Sequence, residues 1–164
     1  VRALTLTQPW ATAVATGIKR VETRSWRSNY RGPLLICSGS GLGPAGGARG
    51  LEHKVCETLR EWFPISAQHL EAGRPIEELF PLGKALAVCM LVAVRPTLPR
   101  AWTREDVARH YGRQQIELGD FTPGRYAWIV RDVRRIAPTP VKGRQRLWKP
   151  DLEAPDLAMA LAAA

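Results

Sequence analysis

Leu4 and Leu6 alternate with Thr5 and Thr7, the period-two spacing of a half-buried strand, until Gln8-Pro9 breaks it. Pro9 suits a first helical turn, where its missing N–H is of little consequence. Trp10, Ala13 and Val14 then recur at helical spacing, and Gly17 offers a left-handed stop. A short helix is therefore predicted, with Lys19 leaving its C-terminal turn. A second strand is predicted from about Arg20, placing Glu22 and Arg24 on one face and Val21 and Thr23 on the other. Pro33 to Ser38 reads as a central strand. Gly39 to Gly50 reads as a flexible connection, because no Gly-Lys-Ser or Gly-Lys-Thr closes it into a phosphate cradle. Leu51, Val55, Leu59 and Trp62 predict an amphipathic helix from Gly50 to Trp62, closed by Pro64, and Ser66 to Leu79 is a polar excursion with room for a second helix.

Ala85 to Val94 is the longest apolar run, too short to cross a bilayer and predicted as the strand at the centre of the sheet. Thr103 has the chemistry of a helix cap, with the helix running to about Tyr111 before Gly112, and a loop reaches Gly119-Asp120-Phe121. Arg125 to Asp132 alternates as a strand, and Arg134 to Val141 predicts a final, proline-marked edge strand. Ala154 to Ala164 is alanine-rich and fits either a helix packed on the sheet or a frayed tail. Strands interleaved with helices, without a regular βαβ period, predict an α+β fold around a closed or nearly closed sheet. The expected organisation is one domain over 1–150 with a tail or packed helix over 151–164.

At 164 residues and 45% apolar, the chain has room for one good core. Its formal charge of +9 predicts an anionic partner. A GC-rich genome would explain arginine outnumbering lysine, but not the shortage of carboxylates. The basic residues cluster early (Lys19, Arg20, Arg24, Arg27, Arg31) and late (Arg131, Arg134, Arg135, Lys142, Arg144, Arg146, Lys149), and folding the two clusters together predicts one basic face, with a merely solvated surface as the alternative. Cys37, Cys56 and Cys89 are odd in number and lie in or near apolar stretches, which fits reduced core thiols. With no cationic start leading into an apolar signal core, a cytoplasmic location and no membrane partner are expected. No cofactor or metal is expected either: His53-x-x-Cys56 with Cys37 lacks paired ligand spacing, and His69 and His110 are isolated. Nor is there a G-x-S-x-G nucleophile turn.

The candidate chemistry sits where the first helix meets the second strand: Gln8, Lys19, Glu22 and Arg24 could line one small site. Lys19 at a helix C-terminus would on its own complement the dipole by about 0.3–1 kcal/mol. As part of a site it would clamp phosphate or, with a depressed pKa, act as nucleophile or base. Glu22 and Arg24 either pair to hold the strand or face a ligand's polar edge, and a carboxylate is an odd choice for a groove that contacts phosphate alone. Trp10, Trp26, Tyr126, Trp128 and Trp148 are economical core fillers, although Trp10 and Trp26 are placed to stack on an unpaired base. Arg31, in Tyr30-Arg31-Gly32, either reaches phosphate or forms a stabilising ion pair.

Gly17-x-Lys19-x-x-Glu22-x-Arg24, after a strand and helix, resembles the signature of the ASCH family, the activating signal cointegrator homology domains. Gly119 to Trp128 and Pro140 to Trp148 are also similar to the family, so the resemblance spans roughly Leu4 to Trp148. It implies a β-barrel related to the PUA domains of RNA-modifying proteins, with the signature residues in a cleft beside the barrel. Bacterial relatives usually read G-x-Q-G-L-W near the end, whereas here Arg146 stands at the second glycine. The first reading is recognition of RNA, single-stranded nucleic acid or a nucleotide-like molecule, with Gln8, Trp10, Lys19, Glu22, Arg24, Trp26, Arg31, Lys142 and Arg144 as binding residues. The alternative is a small hydrolase, either a metal-independent ribonuclease or an amidohydrolase on acylated cytidine, with Lys19, Glu22 and Tyr126 as catalytic candidates. The amidohydrolase relatives carry a threonine three residues after the lysine, and Glu22 occupies that position. A protein-interaction module is a third reading, and no residue singles out a partner surface.

Overall fold

The computed structural model describes residues 1–41, 60–99 and 101–163. His53, Cys56 and most of the helix predicted from Gly50 to Trp62 and of the glycine-rich connection lie outside them. The elements are β1 (Arg2–Leu6), α1 (Trp10–Ala15), β2 (Val21–Arg24), β3 (Gly32–Ser38), α2 (Pro64–Glu71), α3 (Ile76–Leu79), β4 (Lys84–Pro96), α4 (Arg104–Tyr111), α5 (Arg113–Glu117), β5 (Tyr126–Pro140), β6 (Leu147–Trp148) and α6 (Pro155–Ala162). The strands form one mixed sheet in the order β2-β5-β4-β3-β1-β6, with β1 and β3 parallel and the remaining pairs antiparallel. As its apolar run predicts, β4 is central.

The two strands expected over Arg125–Asp132 and Arg134–Val141 are one strand of 15 residues, β5. Asp132 adopts a left-handed φ of +50°, which aspartate tolerates better than most residues, and the β4–β5 register shifts on either side of that region. Such irregularities bend a strand and increase its twist. Only the first part of β5 also pairs with β2, over Tyr126–Ile129, so the proline-bearing end keeps β4 as its one strand partner among the described residues. The sheet curls into a half-barrel: Arg24 on β2 donates from Nη2 to the Thr5 carbonyl of β1 at 3.2 Å, although β5, β4 and β3 lie between those strands.

The concave face is filled by Leu4, Leu6, Leu34, Ile36, Trp128 and Val130 packed on Ala11, Val14 and Ala15 of α1. Neighbouring residues along the same strands, Ala3, Leu35 and Cys37, point the other way and meet Leu157 and Ala160 of α6. The alanine-rich end is thus a helix packed on the sheet. Burial pushes the Cys37 and Cys89 thiols up to about 12, so both remain protonated core groups at neutral pH. A third cluster, Ala13, Phe63, Ile76, Phe80 and Leu118, fixes the turn that follows α5.

Candidate binding cleft

Two local devices place Lys19. Gly17, with a φ of +76°, ends α1, and the Lys19 amide then donates to the Ala13 carbonyl at 2.9 Å, folding the chain back toward the helix. Gln115 of α5 secures the same turn, accepting from the Arg20 and Val21 amides at 2.7 and 3.0 Å and donating to the Ile18 carbonyl at 2.9 Å. Lys19 is only 1% exposed. Its ammonium donates to the Leu118 carbonyl at 2.6 Å, lies 3.3 Å from Glu22 Oε2, and sits 5.5 Å from the centre of the Trp10 ring. Glu22 is held from the other side by Arg24 Nη1 at 3.6 Å from Oε1. Burial lowers the Lys19 pKa, Glu22 opposes that shift, and the charges of Arg24 and Arg125 add to it. Arg24 Nε is buried and has no hydrogen-bond partner.

These residues floor a cleft of about 460 Å³, walled by Trp10 on one side and by Asp120 and Arg125 on the other. The second wall is built from the chain around Gly119. A Cβ there would lie 2.8 Å from the Phe121 ring and 3.2 Å from both the Gln115 carbonyl and Thr23 Cγ2, so glycine alone permits the approach. The Asp120 amide donates to Thr23 Oγ1 at 2.9 Å, and Arg125 Nε lies 3.2 Å from Asp120 Oδ2. Hydrogen bonds from the Thr122 hydroxyl and amide, followed by the Arg125 charge, hold the Asp120 carboxyl below the usual carboxylate range.

A second pocket, of about 610 Å³, shares Arg24 with the first and is otherwise bounded by Thr5, Trp26 and the 142–146 loop. Thr5 anchors that loop: its hydroxyl accepts from the Arg144 amide at 3.2 Å and the Trp148 indole at 3.1 Å. A Cβ on Gly143 would lie 2.8 Å from Thr5 Cγ2. Arg146 has a left-handed φ of +59°, the conformation that the usual glycine adopts freely and that disfavours a β-carbon by about 1 kcal/mol. The guanidinium rests 6.0 Å from the centre of the Trp26 ring, which in turn packs edge-on against Trp128 at 4.5 Å.

Of the residues expected at one site, Trp10, Lys19, Glu22 and Arg24 meet at the first cleft, while Trp26, Lys142 and Arg144 meet Arg24 at the second. Gln8 is buried and occupied elsewhere, donating to the Pro81 carbonyl at 2.9 Å and accepting from the Thr12 amide at 3.1 Å. Arg31 donates to the Ser28, Tyr30 and Val94 carbonyls and lines neither pocket. Tyr126, opposite Arg24 on β5, packs on the concave core and also lines neither. The early and late basic clusters meet at more than one place: Arg24 joins Arg144 and Arg146, whereas Arg20 joins Arg131 in a separate groove beside α4 and α5. That groove, of about 1240 Å³, is larger, but among the described residues it contains no buried ion pair.

The segment predicted as a loop between Gly112 and Gly119 contains α5, and with it Gln115; its polar sequence, Arg113-Gln114-Gln115, has no apolar period to announce a helix. Asp120 and Arg125 belong to a recognisable segment, yet nothing local places them opposite Glu22.

The lowered Lys19 pKa carries a stability prediction. Between its native value and the ordinary 10.5, the unfolded chain binds a proton that the native chain does not, so Lys19 adds stability as pH rises through that window. The two thiols act oppositely above pH 9, where the unfolded chain loses protons that the native chain keeps. The difference between wild type and Lys19→Met cancels the thiols: wild type should gain on the variant as pH increases toward 10.5, as read by urea midpoints across that range. A constant difference would refute the shift.

The family description "ASCH domain" matches residues 4–140. The chain belongs to the ASCH domain family. It is 24% identical over 149 residues to "Activating signal cointegrator 1" of Mus musculus, a match covering 90% of this chain and 22% of that protein, so the chain spans about a fifth of that relative's length. It is also similar to the crystal structure of ASCH from Zymomonas mobilis, with a TM-score of 0.49, 13% identity, and coverage of 96% of this chain and 93% of that one. The matched span of this ASCH domain includes both walls and the floor of the first cleft and stops before the 142–146 loop. Among the described residues, no helix is long and apolar enough to cross a membrane.

Proposed function

We propose that this ASCH domain recognises nucleic acid, RNA foremost, or a nucleotide, by seating a polar base edge at Lys19, Glu22 and Arg24. The observation that carries this reading is the buried Glu22 carboxylate held between two cations on the floor of a cleft. Burying a carboxylate is unfavourable in a groove made only for phosphate, and removing one partner of such a network leaves an uncompensated charge. Held rigidly, the set presents acceptor and donor positions in fixed order, which suits the edge of an unpaired base. Trp10, at the rim, offers a face for stacking. The formal charge of +9 supports long-range attraction to a polyanion, and family membership points in the same direction.

A second reading, a metal-independent hydrolase, draws on the lowered Lys19 pKa beside Glu22, a pairing able to exchange a proton with a ribose hydroxyl. Tyr126 lies outside the cleft, which leaves Lys19 and Glu22 as its acid–base groups.

Titrating single-stranded and duplex RNA and DNA against wild type and Lys19→Met tests both. If about three phosphates are engaged, single-strand affinity should fall about 20-fold between 50 and 200 mM salt. Lys19→Met should weaken binding at every salt concentration without flattening that slope, because a buried ammonium reads the base rather than the backbone. Affinity insensitive to both salt and the substitution would end the recognition reading. RNA cleavage that disappears in Lys19→Met would establish the hydrolase instead.

A further inference from the structure

We propose that the 142–146 loop, with Arg24 and Trp26, is a phosphate site: it holds the phosphate attached to the nucleoside seated at Lys19, Glu22 and Arg24. The inference rests on the base-edge reading above and assigns the neighbouring pocket, whose 142–146 loop lies beyond the family-matched span, its own ligand group.

The pocket's charge is the first argument. Some arginines elsewhere are answered by carboxylates: Arg74 by Glu78, Arg109 by Asp106, Arg113 by Glu61 and Glu117, and Arg125 by Asp120. Others, such as Arg20 and Arg131, form no ion pair among the described residues, and both the first cleft and the groove beside α4 and α5 carry carboxylates on their lining. Lys142, Arg144 and Arg146 have no carboxylate within ion-pair distance among the described residues, and no acidic side chain lines their pocket. Exposed cations gathered around a concavity without counter-ions repel one another, and an entering dianion relieves that repulsion while matching the guanidinium fork.

Construction is the second. The loop is held at a fixed height by Thr5, which accepts the Arg144 amide and packs against Gly143. Arg146 keeps a left-handed backbone that glycine would adopt more easily, and its side chain is braced on the Trp26 indole. Strain retained where a charged side chain is aimed into a pocket is the pattern of a binding position.

Connection is the third. Arg24 lines both pockets, one terminal nitrogen directed at Glu22 and the other at the Thr5 carbonyl. A base edge and its phosphate would thus meet the same guanidinium from opposite sides. A free nucleotide and a nucleic-acid backbone supply the same group, and the probes separate them.

The test compares cytidine, cytidine 5′- and 3′-monophosphate, inorganic phosphate and a single-stranded RNA hexamer, titrated against wild type, Arg146→Gly, Lys19→Met and Arg109→Gln. The readouts are calorimetry and the indole NMR signals of Trp10 and Trp26. Arg146→Gly removes the charge while suiting the left-handed backbone, so its thermal midpoint should stay within a few degrees of wild type. One of the monophosphates, or the hexamer if the phosphate must be a diester, should bind at least tenfold tighter than cytidine and shift the Trp26 indole signal. That advantage should fall to about twofold in Arg146→Gly and persist in Arg109→Gln, which removes an equal charge elsewhere. Lys19→Met should weaken cytidine and nucleotide alike and preserve their ratio. Phosphate binding that survives Lys19→Met without any cytidine binding would sink the base-edge reading and leave the phosphate site standing. Cytidine binding with no phosphate advantage, an advantage indifferent to Arg146→Gly, or no binding by any probe would overturn the phosphate site.

Discussion

Glu22→Gln is expected to destabilise the fold by about 3–5 kcal/mol near neutral pH, because it removes the counter-charge of a lysine that is 1% exposed. The amide keeps the shape of the side chain, so the loss measures charge rather than packing. Left with the Leu118 carbonyl and the Trp10 face, the ammonium is driven further toward its neutral form. The penalty should therefore shrink as pH rises and the variant's Lys19 gives up its proton in the native state. Urea midpoints at pH 7 and pH 9 provide the measurement. Lys19→Met should be milder, since its apolar chain fills the same space and Glu22 retains Arg24. The double variant should be more stable than the sum of the single losses allows, because each single change strands a charge that the double change does not. A Glu22→Gln loss below about 0.5 kcal/mol would mean that the pair is solvated and that Lys19 is no buried ammonium.

Trp128→Ala should remove about 3–5 kcal/mol, the range for deleting a large aromatic from a close-packed core. Trp128 is fully buried on the concave face, beside Glu22 in the β2–β5 register, and its indole donates to the Trp26 carbonyl at 3.4 Å. Its removal therefore acts twice. It opens a cavity between α1 and the sheet, and it takes away the ring against which Trp26 is set edge-on. The thermal midpoint should drop by about 10 °C for a domain of this size. In Trp128→Ala under folding conditions, the Trp26 indole signal should broaden and nucleotide binding should weaken more than stability alone explains. Trp128→Phe should recover most of the stability and part of the Trp26 order. If Trp128→Ala left the Trp26 signal unchanged, the two rings would be neighbours without mechanical consequence.

Both predictions concern residues whose element was readable from the chain and whose role was not. The strand–helix–strand start, the stop at Gly17 and the shared face of Glu22 and Arg24 follow from period, capping and parity, which operate over a few residues. The same holds for the Thr103 cap, which closes with Asp106 as a reciprocal pair. Central placement of β4 follows from a run that is apolar on both faces. The break predicted between two strands after Asp132 was a misreading for an equally local reason: one left-handed residue carries the chain through a bend that interrupts the alternation without ending the strand.

The sequence by itself determined most of the elements, the basic balance and the set of polar residues from which a site can be built, because each depends on composition or on neighbours within a turn or a strand. Tertiary structure alone decided what those residues do. Lys19 is buried because the Leu118 carbonyl, 99 positions away, arrives above it. Gln8 is withdrawn from the cleft because Pro81, 73 positions away, takes its amide. Arg24 joins two pockets because the sheet curls far enough to bring β2 to β1, and the alanine-rich end is a docked helix because Ala3, Leu35 and Trp148 offer it an apolar face. Periodicity records which way a side chain points, whereas a charge's neighbours, solvation and pKa are set by segments distant in sequence that only folding brings together.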